Sequence, residues 1–68
     1  MDQGNFSVVT IADDGTEKRI ADLSRDGARA LAEAHRAAGR RCAIRFTLAD
    51  GKEVTVVGFD EPLDRMTR

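Results

Sequence analysis

Only one stretch of this 68-residue chain carries a long helical pattern, Ser24 to Gly39 (SRDGARALAEAHRAAG), and a strand-like hairpin flanks it on each side. One helix can cover one face of a small sheet and no more. The sequence therefore predicts a sheet with a covered face and an uncovered one, and the uncovered face must be accounted for by something else.

The helix is punctuated locally. Ser24 is a good N-cap, because its hydroxyl can accept from an amide of the first turn. Asp26 places negative charge where the helix dipole favours it. Gly39 stands where a left-handed C′ residue ends a helix, and the six alanines between are the best helix formers. At about 100° per residue, Gly27, Leu31, Ala34, His35 and Ala38 share one face, with Ala28 at its margin. Arg29, Glu33, Arg36 and Arg40 lie opposite. Leu31 is the one large aliphatic on the inner face, so Leu31→Ala is expected to cost about 2–5 kcal/mol if that side chain is buried.

Four segments read as strands: Phe6 to Ala12, Thr16 to Ala21, Cys42 to Leu48 and Lys52 to Phe59. The turns between them are Asp13-Asp14-Gly15 and Ala49-Asp50-Gly51, each with a glycine where positive φ is needed. The two tips, Thr10 to Gly15 and Thr47 to Gly51, resemble each other, as two tight turns of one kind do. Met1 to Gly4 is expected to fray. Pro62 ends the last strand, and Leu63 with Met66 fits one short helical turn against the body.

The order β-β-α-β-β gives an α+β fold, a four-stranded sheet with one helix on one face, in a single small domain spanning 1–68. The strand order taken is 2-1-4-3, with the terminal strands parallel at the centre. That order resembles the β-grasp arrangement, a likeness of topology alone. The other order considered is 1-2-3-4 with a right-handed crossover. Turn geometry sets a register in which Phe46 faces Val54, Ile44 faces Val56, Val8 faces Ile20 and Phe6 faces Asp22. The second face then carries Val9, Ile11, Val57 and Phe59 as an apolar stripe, flanked by charges that include Arg19 and Arg45. An apolar patch rimmed by charge is what an interaction surface looks like.

Composition narrows the function classes. The net charge is −1 with 34% charged residues of both signs, so no overall field favours nucleic acid or an anionic membrane. No apolar run is long enough to span a bilayer. Cys42 is the lone cysteine, which rules out an internal disulfide and suits a reducing cytoplasm. A chain this short buries only about 60% of its unfolded surface, and three Phe are its only aromatics. A second copy is the simplest remedy, so the expected partner is the protein itself, in a homodimer, with another protein as the next choice.

Candidate chemistry is sparse. His35 and Cys42 are the only histidine and cysteine, and both face inward, where packing is the simpler role. Asp13-Asp14 and Asp50 sit at opposite ends of the sheet and cannot share an ion. Asp60, Glu61 and Asp64 lack the spacing of a calcium loop. No catalytic residue, metal or cofactor is assigned, and the chain reads as a non-enzymatic interaction module. The alternative is nucleic-acid binding through Arg36, Arg40, Arg41 and Arg45, which run from the helix end onto the third strand and could track phosphates.

Overall fold

The computed structural model describes residues 4–66. The elements follow the expected order: β1 Phe6–Ile11, β2 Glu17–Leu23, α1 Arg25–Ala37, β3 Arg41–Thr47, β4 Glu53–Val57 and a C-terminal 3-10 turn Leu63–Met66. The short terminal turn spans Leu63–Met66, where one such turn was expected.

The sheet is antiparallel throughout, in the order β2-β1-β3-β4. This corrects the 2-1-4-3 order, and the alternative 1-2-3-4 order as well. The two middle strands are β1 and β3, paired Phe6↔Phe46, Val8↔Ile44 and Thr10↔Cys42. The reason is visible in the burial of consecutive residues. Ser7 to Thr10 and Cys42 to Ile44 are buried on both faces, the mark of a strand with neighbours on either side. By contrast, β4 exposes the consecutive residues Val54 and Thr55 and leaves Val54 43% exposed, as an edge strand does. The Phe6 and Phe46 rings meet edge to face at 4.9 Å across the central pair, a contact worth about 0.5–1.5 kcal/mol beyond its area. Both β2 and β3 run antiparallel to β1, so the connection through α1 steps across β1.

Both hairpin loops form as their residues dictate. At each tip the glycine amide donates to the carbonyl three residues back, Gly15 to Ala12 and Gly51 to Leu48, both at 2.9 Å. Gly15 and Gly51 have φ of +88° and +91°. The preceding aspartate then accepts from the backbone two residues on, Asp14 from Thr16 at 2.9 Å and Asp50 from Lys52 at 3.0 Å. A hydrogen bond from the Thr16 side chain, together with the one from the Thr16 amide, holds the Asp14 carboxyl below its ordinary value.

Two bulges alter the register. Val8 faces Ile20 and Phe46 faces Val54, as expected, but Phe6 faces Leu23 and Ile44 faces Val57. At the first bulge Asp22 takes φ +62°, a left-handed conformation that aspartate tolerates better than most residues. It turns Leu23 toward the core. At the second, the extra residue in β4 exchanges the faces of Val56 and Val57. Val57 thus joins Val8, Ala28, Ala32, Cys42 and Ile44 in the core, and does not lie on the uncovered face.

On α1, Ser24 Oγ accepts from the Gly27 amide at 3.0 Å. The helix ends in a Schellman motif: Gly39 (φ +90°) donates to Arg36 and Arg40 donates to His35. The inner face is rolled relative to the expected one. Ala28 and Ala32 are fully buried, Leu31 is half-buried, and Ala34 and Ala38 are exposed. Methyl groups bring the helix close to β1 and β3, while the terminal turn covers β4 and adds Leu63 to the core margin. Half-burial lowers the expectation for Leu31→Ala to about 1–2 kcal/mol, short of a fully buried leucine. Chemical denaturation that showed a loss above about 3 kcal/mol would mean that the helix docks through Leu31 after all.

Gly4 is packed rather than frayed. A Cβ there would run into the Leu23 carbonyl and the Ser24 backbone, and the next residue, Asn5, accepts from the Thr47 amide at 2.8 Å. Gly4→Ala is therefore expected to destabilise by about 1–3 kcal/mol, read as a lower denaturant midpoint with an unchanged slope. An unchanged midpoint would show that the N-terminal segment does not hold this position.

Candidate interaction surface

The face of the sheet opposite α1 is built from alternate residues of the four strands. Ser7, Val9 and Ile11 come from β1, Ala43 and Arg45 from β3, and Arg19 and Glu53 from the two edge strands. Their register pairs are Val9↔Arg19, Val9↔Ala43 and Ser7↔Arg45. Small residues line the centre, so the long side chains of the edges lie inward across them. Arg19 on β2 donates through Nη2 to Ser7 Oγ at 3.3 Å and pairs with Glu53 on β4. Arg45 Nη1 stands 3.8 Å from the other oxygen of Glu53. An ion-pair chain thus spans the sheet from edge to edge.

Beneath this chain Ser7, Val9 and Ala43 are nearly inaccessible. The aliphatic stems of the arginines cover apolar surface while the guanidinium tips reach solvent, with Arg45 Nε buried and without a partner among the described residues. Exposed pairs of this kind contribute at most about 1 kcal/mol each. Their larger effect is to shape the surface. A hollow of about 240 Å³ remains, floored by Val9 and Phe59 and framed by Glu17, Lys18, Arg19, Arg45 and Glu53. Arg41 lies over the Phe59 ring, its guanidinium carbon 5.4 Å from the centroid, in cation–π range. Arg41 also pairs with Asp60 at 3.4 Å.

The apolar stripe expected from the sequence is therefore divided. Val9 and Phe59 share the hollow, Ile11 is half-buried toward the hairpin end, and Val57 has crossed to the core. Arg19 and Arg45 stand at the frame. The signal for the ion-pair chain was present, since Arg19, Arg45 and Glu53 alternate correctly, but edge-to-edge reach needs small residues on both central strands.

The four arginines considered for nucleic acid do not form one track. Arg36 points into the C-terminal segment. Its Nη1 donates to the Glu61 carbonyl at 2.5 Å, and its Nη2 to the carbonyls of Cys42, Gly58 and Phe59 at 2.8, 2.9 and 3.3 Å. One guanidinium thus ties α1 to β3 and to the chain beyond β4. Sequence reasoning placed Arg36 outward; its i+4 spacing from the buried Ala28–Ala32 line was the available sign. Arg41 and Arg45 lie on the uncovered face. Arg40 is at the helix end, with its Nη1 3.3 Å from His35 Nδ1.

Cys42 and His35 share no hydrogen bond among the described residues. The Cys42 side chain is fully buried in the core, and burial pushes its thiol pKa up, partly offset by Arg36 and Arg40. The His35 ring is engaged with Arg40 instead. Among the described residues, no three of His, Cys, Asp and Glu are placed to hold a metal ion. No described helix is long and apolar enough to cross a membrane. No protein-family model, curated protein or solved structure matches the chain.

Proposed function

We propose that the protein is a non-enzymatic interaction module that pairs with a second copy of itself through the sheet face opposite α1. The observation that carries this reading is the hollow floored by Val9 and Phe59 inside a frame of both charge signs. A two-fold axis through such a frame can set Arg19 or Arg45 of one copy against Glu17 or Glu53 of the other, which is the self-complementarity an isologous interface requires. Phe59 is the anchor, since aromatic residues at the centre of a patch dominate interface energetics. A buried free thiol suits the reducing cytoplasm, and we place the protein there.

Sedimentation at low micromolar concentration tests the proposal. The expected result is a dimer that Phe59→Lys converts to a folded monomer. A wild-type monomer under those conditions, with Phe59→Lys leaving both mass and stability unchanged, overturns it. The nucleic-acid reading now rests on Arg40, Arg41 and Arg45, because Arg36 is committed to backbone carbonyls. A mobility shift with a short duplex that fades steeply with salt would replace self-association with that reading.

A further inference from the structure

A second hollow, of about 230 Å³, lies on the helix side of the sheet, beyond the last turn of α1. It is lined by Thr10, Ala12, Thr16, Lys18, His35 and Arg40. The residues come together because the β1–β2 hairpin extends past the point where α1 ends. Thr10 and Lys18 are cross-strand neighbours, and Thr10 faces the same side as Val8 in the core. The Schellman turn then carries Arg40 back over this end of the sheet.

Three features mark the hollow as a binding site rather than a gap. Thr10 is only 4% exposed, yet its hydroxyl has no hydrogen-bond partner among the described residues. That hydroxyl is not sealed in the interior, since Arg36 Nε and Arg45 Nε are the buried side-chain atoms left without a partner among the described residues, and the hollow that Thr10 lines is where it can meet a ligand. Lys18 forms no ion pair with a described residue, and Arg40 has only the His35 ring as a partner. Guanidinium can only donate, so the contact between Arg40 and His35 Nδ1 offers Arg40 at most one acceptor. The carbonyls of His35 and Arg36 at the helix end are already taken by the amides of Arg40 and Gly39. The donors at this site thus outnumber the free acceptors.

We infer that this hollow binds a small tetrahedral oxyanion, the phosphate group of a free ion or of a small phosphate monoester. Lys18 supplies a point charge from β2, Arg40 a planar set of donors from the helix end, and the Thr10 hydroxyl a donor from the floor. Donors arriving from separate directions suit a tetrahedral group with acceptors all round, where a planar carboxylate would leave some unmet. The volume is below the range of pockets for drug-sized ligands, which limits the occupant to the anion and a short substituent. Asp13 and Asp14 rim the neighbouring hollow beyond Arg40. Their charge and the negative end of the α1 dipole temper the attraction, so the affinity expected is about 1 mM.

The test is a titration of the full chain with inorganic phosphate at low ionic strength, followed by amide chemical shifts. Saturable shifts confined to Thr10, Thr16, Lys18, His35 and Arg40 are expected. The Lys18→Gln/Arg40→Gln double variant, whose spectrum reports directly that it is folded, should weaken binding at least tenfold. Arg41→Gln on the opposite face should leave it unchanged. A parallel titration with methyl phosphate identifies the source: tighter binding assigns a monoester, weaker binding the free ion. The absence of saturable shifts overturns the inference. So does equal binding of acetate, or a shift pattern centred on Arg41 and Arg45.

Discussion

Replacing Arg36 with alanine is expected to lower stability by about 2–4 kcal/mol, because each charged hydrogen bond lost leaves a partly buried carbonyl without a donor. A domain of this size commands only about 3–5 kcal/mol from its core, so the variant should be substantially unfolded at physiological temperature. The carbonyls of Cys42, Gly58, Phe59 and Glu61 all accept from this one side chain, and that of Gly58 accepts from the Glu61 amide as well, at 3.2 Å. The segment after β4 also has its own turn, in which Glu61 Oε1 accepts from the Gly58 amide at 2.7 Å. Arg29 reaches Asp64 only at 3.9 Å, too loosely to replace the clamp. Arg36→Lys should recover less than half of the loss, since one ammonium cannot serve acceptors on both β3 and the C-terminal segment. Truncation after Asp60 offers an independent check. If Arg36 acts through the segment it holds, truncation and Arg36→Ala should cost similar amounts and combine with much less than additive effect. A loss below about 1 kcal/mol for Arg36→Ala in chemical denaturation would show that the segment is held by other contacts.

The second large effect concerns neighbouring valines. Val57→Asp is expected to abolish folding, or to cost at least about 3 kcal/mol, because an unpaired carboxylate would enter a fully apolar core. Val57 is inaccessible and sits against Ile44 and the helix alanines. Val56→Asp should cost clearly less, about 1–2 kcal/mol, because Val56 is half-buried at the core margin. A regular ladder from the β3–β4 turn would reverse this ranking, placing Val56 opposite Ile44 and turning Val57 outward. The pair of variants therefore reads the bulge directly, by comparing denaturant midpoints. Equal losses, or a larger loss for Val56→Asp, would place the register back on the regular ladder.

Much of the fold was legible in the residues. The existence and type of every element could be read, together with both hairpin loops, the Ser24 cap, the Gly39 stop and the terminal turn at Leu63. Cys42 was correctly placed on the helix-covered face. Val9, Arg19, Arg45 and Phe59 were expected on one face, and all four line the same hollow. Val57 was misassigned, and the interior role of Arg36 was missed.

The division follows from the range of the interactions. Turns, caps and hairpins are decided within about five residues, so Asp14-Gly15, Asp50-Gly51 and Ser24 determine them from sequence alone. Strand order is a choice between partners distant in the chain, and β1 could meet β3 or β4 with similar apolar content. Only the packed state, with Ser7–Thr10 and Cys42–Ile44 buried on both faces, decided for the β1–β3 pair. The bulges at Asp22 and Val56 are likewise tertiary, since one added residue brings a different side chain to the core at no cost to the local pattern. The roll of α1 was undetermined because alanine suits either face of a helix. It was settled when Ala28 and Ala32 docked on the sheet and swung Arg36 onto the carbonyls it now holds together.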